Sequence, residues 1–280
     1  MRVRRAAVAG YFYPSDPDEL NNSIKNSFLN RVGPGKLPPS EKRVDALGYV
    51  VPHAGYEYSG PVAAHAYYEI SALSEELTFI ILGPNHYGIG SPIAVPQSDE
   101  WETPLGKVEI DETLKHELVR GSNIIDIDDS AHWREHSIEV QLPFLQYVKK
   151  NFKLLPISMA YMEMGAAIEV AETIFKAIKG RRVMVLASSD MTHYEPQASV
   201  NEKDSIAIDA ITSLDISRLY LVISQKNITM CGYGPVAVLM HLSKLMGYTD
   251  VRLLKHSDSG EMTGDRASVV GYASIGFYKK

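Results

Sequence analysis

The sequence predicts an α/β fold in which a largely parallel central sheet is flanked by helices, and three observations carry that expectation. Ala46–Val51 and residues 78–82 and 183–187 are short apolar runs, rich in β-branched residues and bounded by Pro, Gly or a Ser-Ser-Asp cluster, as fully buried strands are. Between them lie helical patterns at residues 61–72, 137–150 and 165–179, and strand-helix alternation favours parallel strands covered on both faces. The chain has 280 residues, 45% hydrophobic and 22% charged, so it is long enough to bury a sizeable core and too ordinary in composition for disorder or a fibrous repeat. With no internal repeat or low-complexity tract, residues 1–280 are expected to form a single domain.

The elements follow in order. Asp16 reads as a helix N-cap, with Pro17 at the first helical position and acidic residues in the first turn of a helix reaching about Arg31. Its apolar positions are sparse, so it is expected on the outside. Gly33, Pro34, Gly35, Pro38 and Pro39 mark a loop within the domain. The three buried strands and their helices come next. Cys231, between a polar lead-in and two glycines, precedes an apolar helical stretch to about Met246, and residues 251–255 and Val269–Tyr278 add strands whose direction their partial alternation leaves open.

Charge and composition exclude several functions. Lys plus Arg number 28 against 34 Asp plus Glu, a net charge of −6, so no positive field gathers phosphate backbones and nucleic acid is not an expected partner. Arg2, Arg4 and Arg5 precede an apolar run broken at Gly10 and Pro14, too short for a signal-peptide core. No run approaches the ~18 apolar residues needed to cross a bilayer. The expectation is a cytoplasmic protein with no membrane partner. A single cysteine, Cys231, forbids an intrachain disulfide.

Each of the three strands delivers a histidine at its carboxyl end: Pro52-His53-Ala54-Gly55-Tyr56, Gly83-Pro84-Asn85-His86, and Ser188-Ser189-Asp190-Met191-Thr192-His193. Ligands of open α/β sheets bind outside those ends, so these residues converge if the strands are parallel neighbours. Two imidazoles and an anionic group suit a divalent transition metal with open positions, and Cys231 would be the anion, its thiolate favoured by the following helix N-terminus. The plain alternatives are a packed cysteine and polar loop histidines. Asp190 and His193, three apart, are spaced for a carboxylate to orient an imidazole that acts as acid or base; otherwise Asp190 caps a turn. His136 precedes a helix that Ser137 would cap, and Glu139 would add a carboxylate to a pocket.

Taken together, Val51-Pro52-His53-Ala54-Gly55-Tyr56, Gly83-Pro84-Asn85-His86, Glu135-His136-Ser137-Ile138-Glu139-Val140-Gln141-Leu142-Pro143-Phe144, Ser188-Ser189-Asp190 with His193-Tyr194, and Cys231-Gly232 resemble the Memo family. Arg5-Ala6-Ala7-Val8-Ala9-Gly10, Phe12-Tyr13-Pro14 and Trp101-Glu102-Thr103-Pro104-Leu105-Gly106 resemble its opening and middle segments, so the likeness spans almost the whole chain. The resemblance implies a fold similar to class III extradiol dioxygenases, and one transition-metal ion (iron, copper or zinc) on His53, His86 and Cys231. It further implies His193 as acid/base group with Asp190 beside it, and Tyr56, Asn85, His136 and Glu139 as pocket lining.

In the dioxygenases a glutamate stands where Cys231 does, and a softer thiolate argues against ring cleavage. The resemblance therefore implies a metal-binding protein with redox chemistry on an unknown small molecule. The alternatives are a non-haem iron extradiol-type dioxygenase, and a non-catalytic module that holds a peptide or partner in the same cleft. Prokaryotic members, also called protein B of the AmmeMemoRadiSam system, imply a radical S-adenosylmethionine protein and an Ammecr-like protein as partners. Phosphotyrosine recognition, attributed to eukaryotic members, transfers poorly to a chain without an evident Arg cluster at the pocket.

Overall fold

The computed structural model describes residues 2–40, 43–73 and 76–280. Its first half runs β1 (Val3–Arg4), α1 (Pro17–Leu29), β2 (Ala46–Val51), α2 (Tyr56–Ile70), β3 (Leu77–Pro84), β4 (Ile93–Val95), β5 (Glu100–Thr103), β6 (Gly106–Glu109), α3 (Glu112–Arg120), β7 (Asp126–Ile127) and α4 (Gln141–Val148). The second half runs β8 (Phe152–Met159), α5 (Met164–Ala177), β9 (Val183–Ser188), β10 (His193–Glu195), α6 (Gln197–Thr212), α7 (Ile216–Gln225), α8 (Tyr233–Met246), β11 (Asp250–Asp258), α9 (Gly260–Thr263) and β12 (Val269–Tyr278).

The main sheet has the order β10-β12-β2-β9-β3-β8-β4-β7, with β11 pairing β12, and a smaller sheet joins β1, β5 and β6. At its centre β2, β9, β3 and β8 are mutually parallel, Val50 lying opposite Ala187 and Leu82 opposite Ala187 on the other side. The C-terminal strands, whose direction the sequence leaves open, are antiparallel: β11 to β12, and β12 to β2.

The apolar runs are continuous because both faces of these strands are covered. Tyr49, Val51, Phe79, Ile81, Met184 and Leu186 face a layer containing α1, α2 and α4. The alternate residues Val50, Ile80, Leu82, Val185 and Ala187 face α5 and α8 on the other side. Period-two geometry thus sorts one unbroken hydrophobic string into two cores.

The first helix forms for the reasons the sequence gives. The Asp16 carboxylate accepts from the N–H groups of Asp18 and Glu19, at 2.9 and 3.0 Å. Its few apolar residues suffice: Leu20, Ile24 and Phe28 share one face and are fully buried against the α2 layer. No helix among the described residues is long and apolar enough to cross a membrane.

Candidate metal centre

Because β2, β9 and β3 are adjacent and parallel, their carboxyl ends form one edge. His53 lies two residues beyond β2 and His86 two residues beyond β3, while β9 runs directly into Ser189 and Asp190. The fourth contributor arrives from far along the chain. Gly232 caps α8, and its N–H donates to Ser189 Oγ at 2.9 Å, which holds Cys231 against the end of β9. A Cβ on Gly232 would lie 2.3 Å from the Ser188 carbonyl oxygen, so this approach requires glycine.

The result brings Cys231 Sγ to 3.2 Å from His53 Nε2. One ligand atom each from His53, His86 and Cys231 all lie within 4.8 Å of one another, a spacing that could hold a metal ion. His53 is almost fully buried, Cys231 partly so, and His86 is the most open of the three.

Both imidazoles are tethered through the other ring nitrogen. His86 Nδ1 lies 2.9 Å from Glu135 Oε1, and the His86 N–H donates to Glu135 Oε2 at 2.6 Å. Burial pushes the Glu135 carboxyl up, but the hydrogen bond from His86, the neighbouring imidazoles and the Ser137 N–H outweigh it and lower it to about 2. An ionised carboxylate only accepts, so His86 Nδ1 carries the proton and Nε2 is left with its lone pair. His86, Glu135 and His136 also stand close enough to suggest a second metal group. Glu135 Oε1 is, however, engaged by His86 Nδ1, His136 N–H and Ser137 N–H, at 2.8–2.9 Å, and Oε2 accepts the His86 N–H, so both oxygens of this carboxylate already hold the His86 loop. Glu135 therefore supports His86.

His53 is neutral, burial holding its imidazole well below the ordinary value, with the other histidines adding to the effect. The Cys231 thiol differs from the sequence expectation. Burial and then the Asp190 carboxylate push it above its ordinary value, and these outweigh the Asp190 N–H, which donates to Sγ at 3.3 Å, and the Ser189 hydroxyl. The thiol keeps its proton until a cation displaces it.

Asp190 and His193 are close in the chain yet differently engaged. Asp190 Oδ1 accepts the His53 N–H at 2.8 Å, and burial raises its carboxyl to about 6. His193 is oriented by Thr229 instead: its N–H donates to Thr229 Oγ1 at 2.7 Å, and its Nδ1 lies 2.9 Å from the Thr229 carbonyl oxygen. A carbonyl cannot donate, so the His193 proton sits on Nδ1 and Nε2 is free.

His53, His86, His136, Asp190 and His193 open onto one cavity of about 700 Å³, walled by Phe12, Tyr58, Tyr194 and Tyr272. No lysine or arginine lines it among the described residues. A second hollow of similar size lies at the amino ends of the strands, beside Ala46, Leu77 and Val183, and carries none of the candidate ligands.

The order of these motifs along the chain matches a known group of proteins. A family profile described as Memo-like protein covers residues 4–276. The chain belongs to the Memo family. A MEMO1 family protein of Methanothermobacter thermautotrophicus is 47% identical over 98% of this chain and 99% of its own length. One from Sulfolobus acidocaldarius is also 47% identical, over 98% and 99%. In structure, the chain is similar to an uncharacterized protein of Escherichia coli K12, with a TM-score of 0.56, 12% identity, and coverage of 82% of this chain and 98% of that one. That likeness concerns the fold alone.

Three residues that the Memo resemblance assigns to the pocket are engaged elsewhere. Glu139 is fully buried, paired with Arg4 at 2.6 Å and accepting from Tyr13 Oη and the N–H groups of Ala7 and Val8. Tyr56 points its hydroxyl at the Val140 carbonyl, 2.6 Å away, within the α2–α4 packing. Asn85 closes its own loop, accepting from Tyr87 and Gly88 and donating to Ile89. His136 does reach the cavity, stacked on His86 with ring centroids 4.6 Å apart. Sequence reasoning assigned no role to Glu135, Ser188, Gln141 or Thr229. For Glu135 the signal was its place beside His136; the other three carry none.

Proposed function

We propose that this Memo-family protein holds one transition-metal ion on His53 Nε2, His86 Nε2 and Cys231 Sγ, and acts as an oxidoreductase on a small molecule admitted through the adjoining cavity. The convergence of those three donor atoms within 4.8 Å supports the reading most directly. The donor set fits: two imidazoles whose remote nitrogens are hydrogen-bonded, one soft sulfur, and an open side toward the cavity. Such an ion, when bound, supplies Lewis acidity or electron transfer, and this donor set suits zinc, copper or iron.

The chain's own residues supply the rest. His193 lines the cavity with Nδ1 bound to Thr229, so its Nε2 is the nitrogen left to hold or take a proton from a ligand there. The aromatic walls exclude water from one side of that ligand, and the lack of lining cations disfavours anionic groups. Extradiol ring cleavage is disfavoured because Cys231 occupies the place of the carboxylate in that chemistry.

The test is metal content and stoichiometry after anaerobic purification, for the native protein and for Cys231→Ser and His53→Ala. One ion per chain, lost in both variants, is the expected result. Undiminished binding in both removes the site. A second reading, a non-catalytic module, draws on Tyr11 and Tyr194 at the cavity mouth, 89% and 77% exposed. Pull-down with the radical S-adenosylmethionine and Ammecr-like proteins, with and without metal, separates the two.

A further inference from the structure

His53 can carry its single proton on either ring nitrogen, and only one choice leaves Nε2 able to bind an ion. The choice follows from counting donors and acceptors around a buried hydroxyl. Ser188 Oγ, at the end of β9, has three neighbours: the Ser137 carbonyl oxygen at 2.6 Å, Gln141 Nε2 at 2.8 Å and His53 Nδ1 at 2.9 Å. Ser188, Ser137 and Gln141 are all buried, leaving no room for bulk water to substitute.

The orientation of Gln141 is forced. Its Nε2 also lies 3.0 Å from the Pro52 carbonyl oxygen, which can only accept, while its Oε1 receives the Tyr67 hydroxyl at 2.5 Å. Turning the amide over would set two acceptors against each other at the Pro52 oxygen. Nε2 therefore donates to Ser188 and fills one of its lone pairs. The Ser137 carbonyl likewise only accepts, so it takes the single hydroxyl proton. What remains on Ser188 Oγ is one lone pair, and it faces His53 Nδ1. The imidazole must donate to it.

We propose that Ser188, with its hydroxyl held by Gln141 and the Ser137 carbonyl, is a positioning residue that locks His53 as the Nδ1–H tautomer and so presents the Nε2 lone pair toward Cys231. Its use in ligation rests on the metal reading above; the lock itself does not. The same segment serves both imidazoles. Glu135 fixes the tautomer of His86, Ser137 joins Ser188 to the end of β3 through its hydroxyl bond to the Pro84 carbonyl at 2.9 Å, and Gln141 steadies Ser188.

The experiment uses the full-length, metal-free protein with ¹⁵N-labelled histidine, and reads the His53 tautomer from long-range proton–nitrogen correlations. Two protonated-Nδ1 patterns are expected, one from the buried His53 and one from the more open His86, assigned by single His→Gln substitutions. A His53 signal with the proton on Nε2 overturns the proposal, and because this is measured on the native chain it does not depend on any variant folding. Ser188→Ala should populate the Nε2–H form and weaken zinc binding, read by chelator competition, on the order of 10- to 100-fold. Ser188→Thr, which keeps the hydroxyl, should restore both. Ser188→Ala with an unchanged tautomer and zinc affinity overturns the proposal; a native chain with the Nδ1–H tautomer that binds no zinc upholds the lock and removes the metal site instead.

Discussion

Cys231 Sγ and His53 Nε2 lie 3.2 Å apart although 178 positions separate them in the chain. That contact exists because a glycine-mediated turn before α8 presses on the end of β9 while β2, the neighbour of β9, delivers the histidine. In the proposed metal site the sulfur would be the donor that distinguishes it from a facial triad with a carboxylate.

Replacing that sulfur should change which ion is preferred. Cys231→Asp converts a soft donor to a hard one, so affinity for copper(I) and zinc should fall relative to iron(II) or manganese(II). A change in the zinc-to-iron(II) binding ratio of on the order of tenfold, about 1.4 kcal/mol, is the expected size. Competition titrations under anaerobic conditions measure it, and an unchanged ratio would show that the sulfur is not a ligand.

The turn itself should be intolerant. Gly232→Ala places a Cβ 2.3 Å from the Ser188 carbonyl oxygen and 2.6 Å from Ser189 Cβ, both on the segment that leads into Asp190. Backbone cannot yield as a flexible side chain does, so the strain should cost roughly 1–3 kcal/mol. Urea denaturation reads the loss, and metal binding should weaken with it, since the sulfur must move. Gly88→Ala meets nothing within 4 Å, though its φ of +63° makes it a control for backbone strain without a collision.

The N-terminal segment is held by a buried charge. Arg4 and Glu139 pair at 2.6 Å with side chains 4% and 0% exposed, and Glu139 also accepts from Tyr13 and two backbone N–H groups. Removing one partner leaves the other charge buried and unpaired, so Arg4→Met should destabilise by about 3–5 kcal/mol. Arg4→Met combined with Glu139→Gln should lose less than the sum of the two single changes. Chemical denaturation of the four proteins forms the cycle, and strict additivity would deny the coupling.

What the sequence could and could not disclose follows from the range of each interaction. The buried strands were legible because apolar runs flanked by breakers are a local signal, and β2, β3 and β9 fall where those runs lie. The convergence of His53 and His86 was legible only conditionally, through the rule about strand ends, and the parallel order β2-β9-β3 meets that condition, whereas Cys231 comes from the turn before α8. Strand β8 was missed because Pro156 interrupts its run. Pro156 is tolerated there, opposite Ile81, since only Ser158 and Met159 of β8 pair with β4. Glu139 illustrates the converse. A carboxylate beside a histidine motif invites a pocket assignment, but its partner Arg4 sits 135 positions away, and no local pattern announces that pairing. The hydrogen bonds that Ser188, Gln141 and Thr229 make to this site are likewise three-dimensional facts about common polar residues.

His132 should govern part of the response to acid. It is 1% exposed, donates through Nε2 to the Ala94 carbonyl at 3.1 Å, and leaves Nδ1 without a hydrogen-bond partner. Burial, reinforced by the Arg4 guanidinium, lowers its imidazole to about 3; Glu135 and Asp128 oppose that shift, and Trp101 packs edge-on against the ring. In the unfolded chain the imidazole titrates near 6.5. Between those values the unfolded state binds a proton that the folded state refuses, so folding stability falls as the pH drops from about 6.5 toward 3. The slope from this one group approaches ~1.4 kcal/mol per pH unit, and the full loss is on the order of 5 kcal/mol. His132→Asn, which keeps a donor for Ala94 and cannot titrate, should be less stable than the native protein near pH 7.5 but lose less stability on acidification. Urea midpoints at pH 7.5, 6.0, 5.0 and 4.5 for the two proteins test this: the native curve should be steeper by about one proton below pH 6. Parallel curves would mean that His132 is hydrated or protonated in the folded state, and that the Arg4 side of the core is wetter than its burial implies.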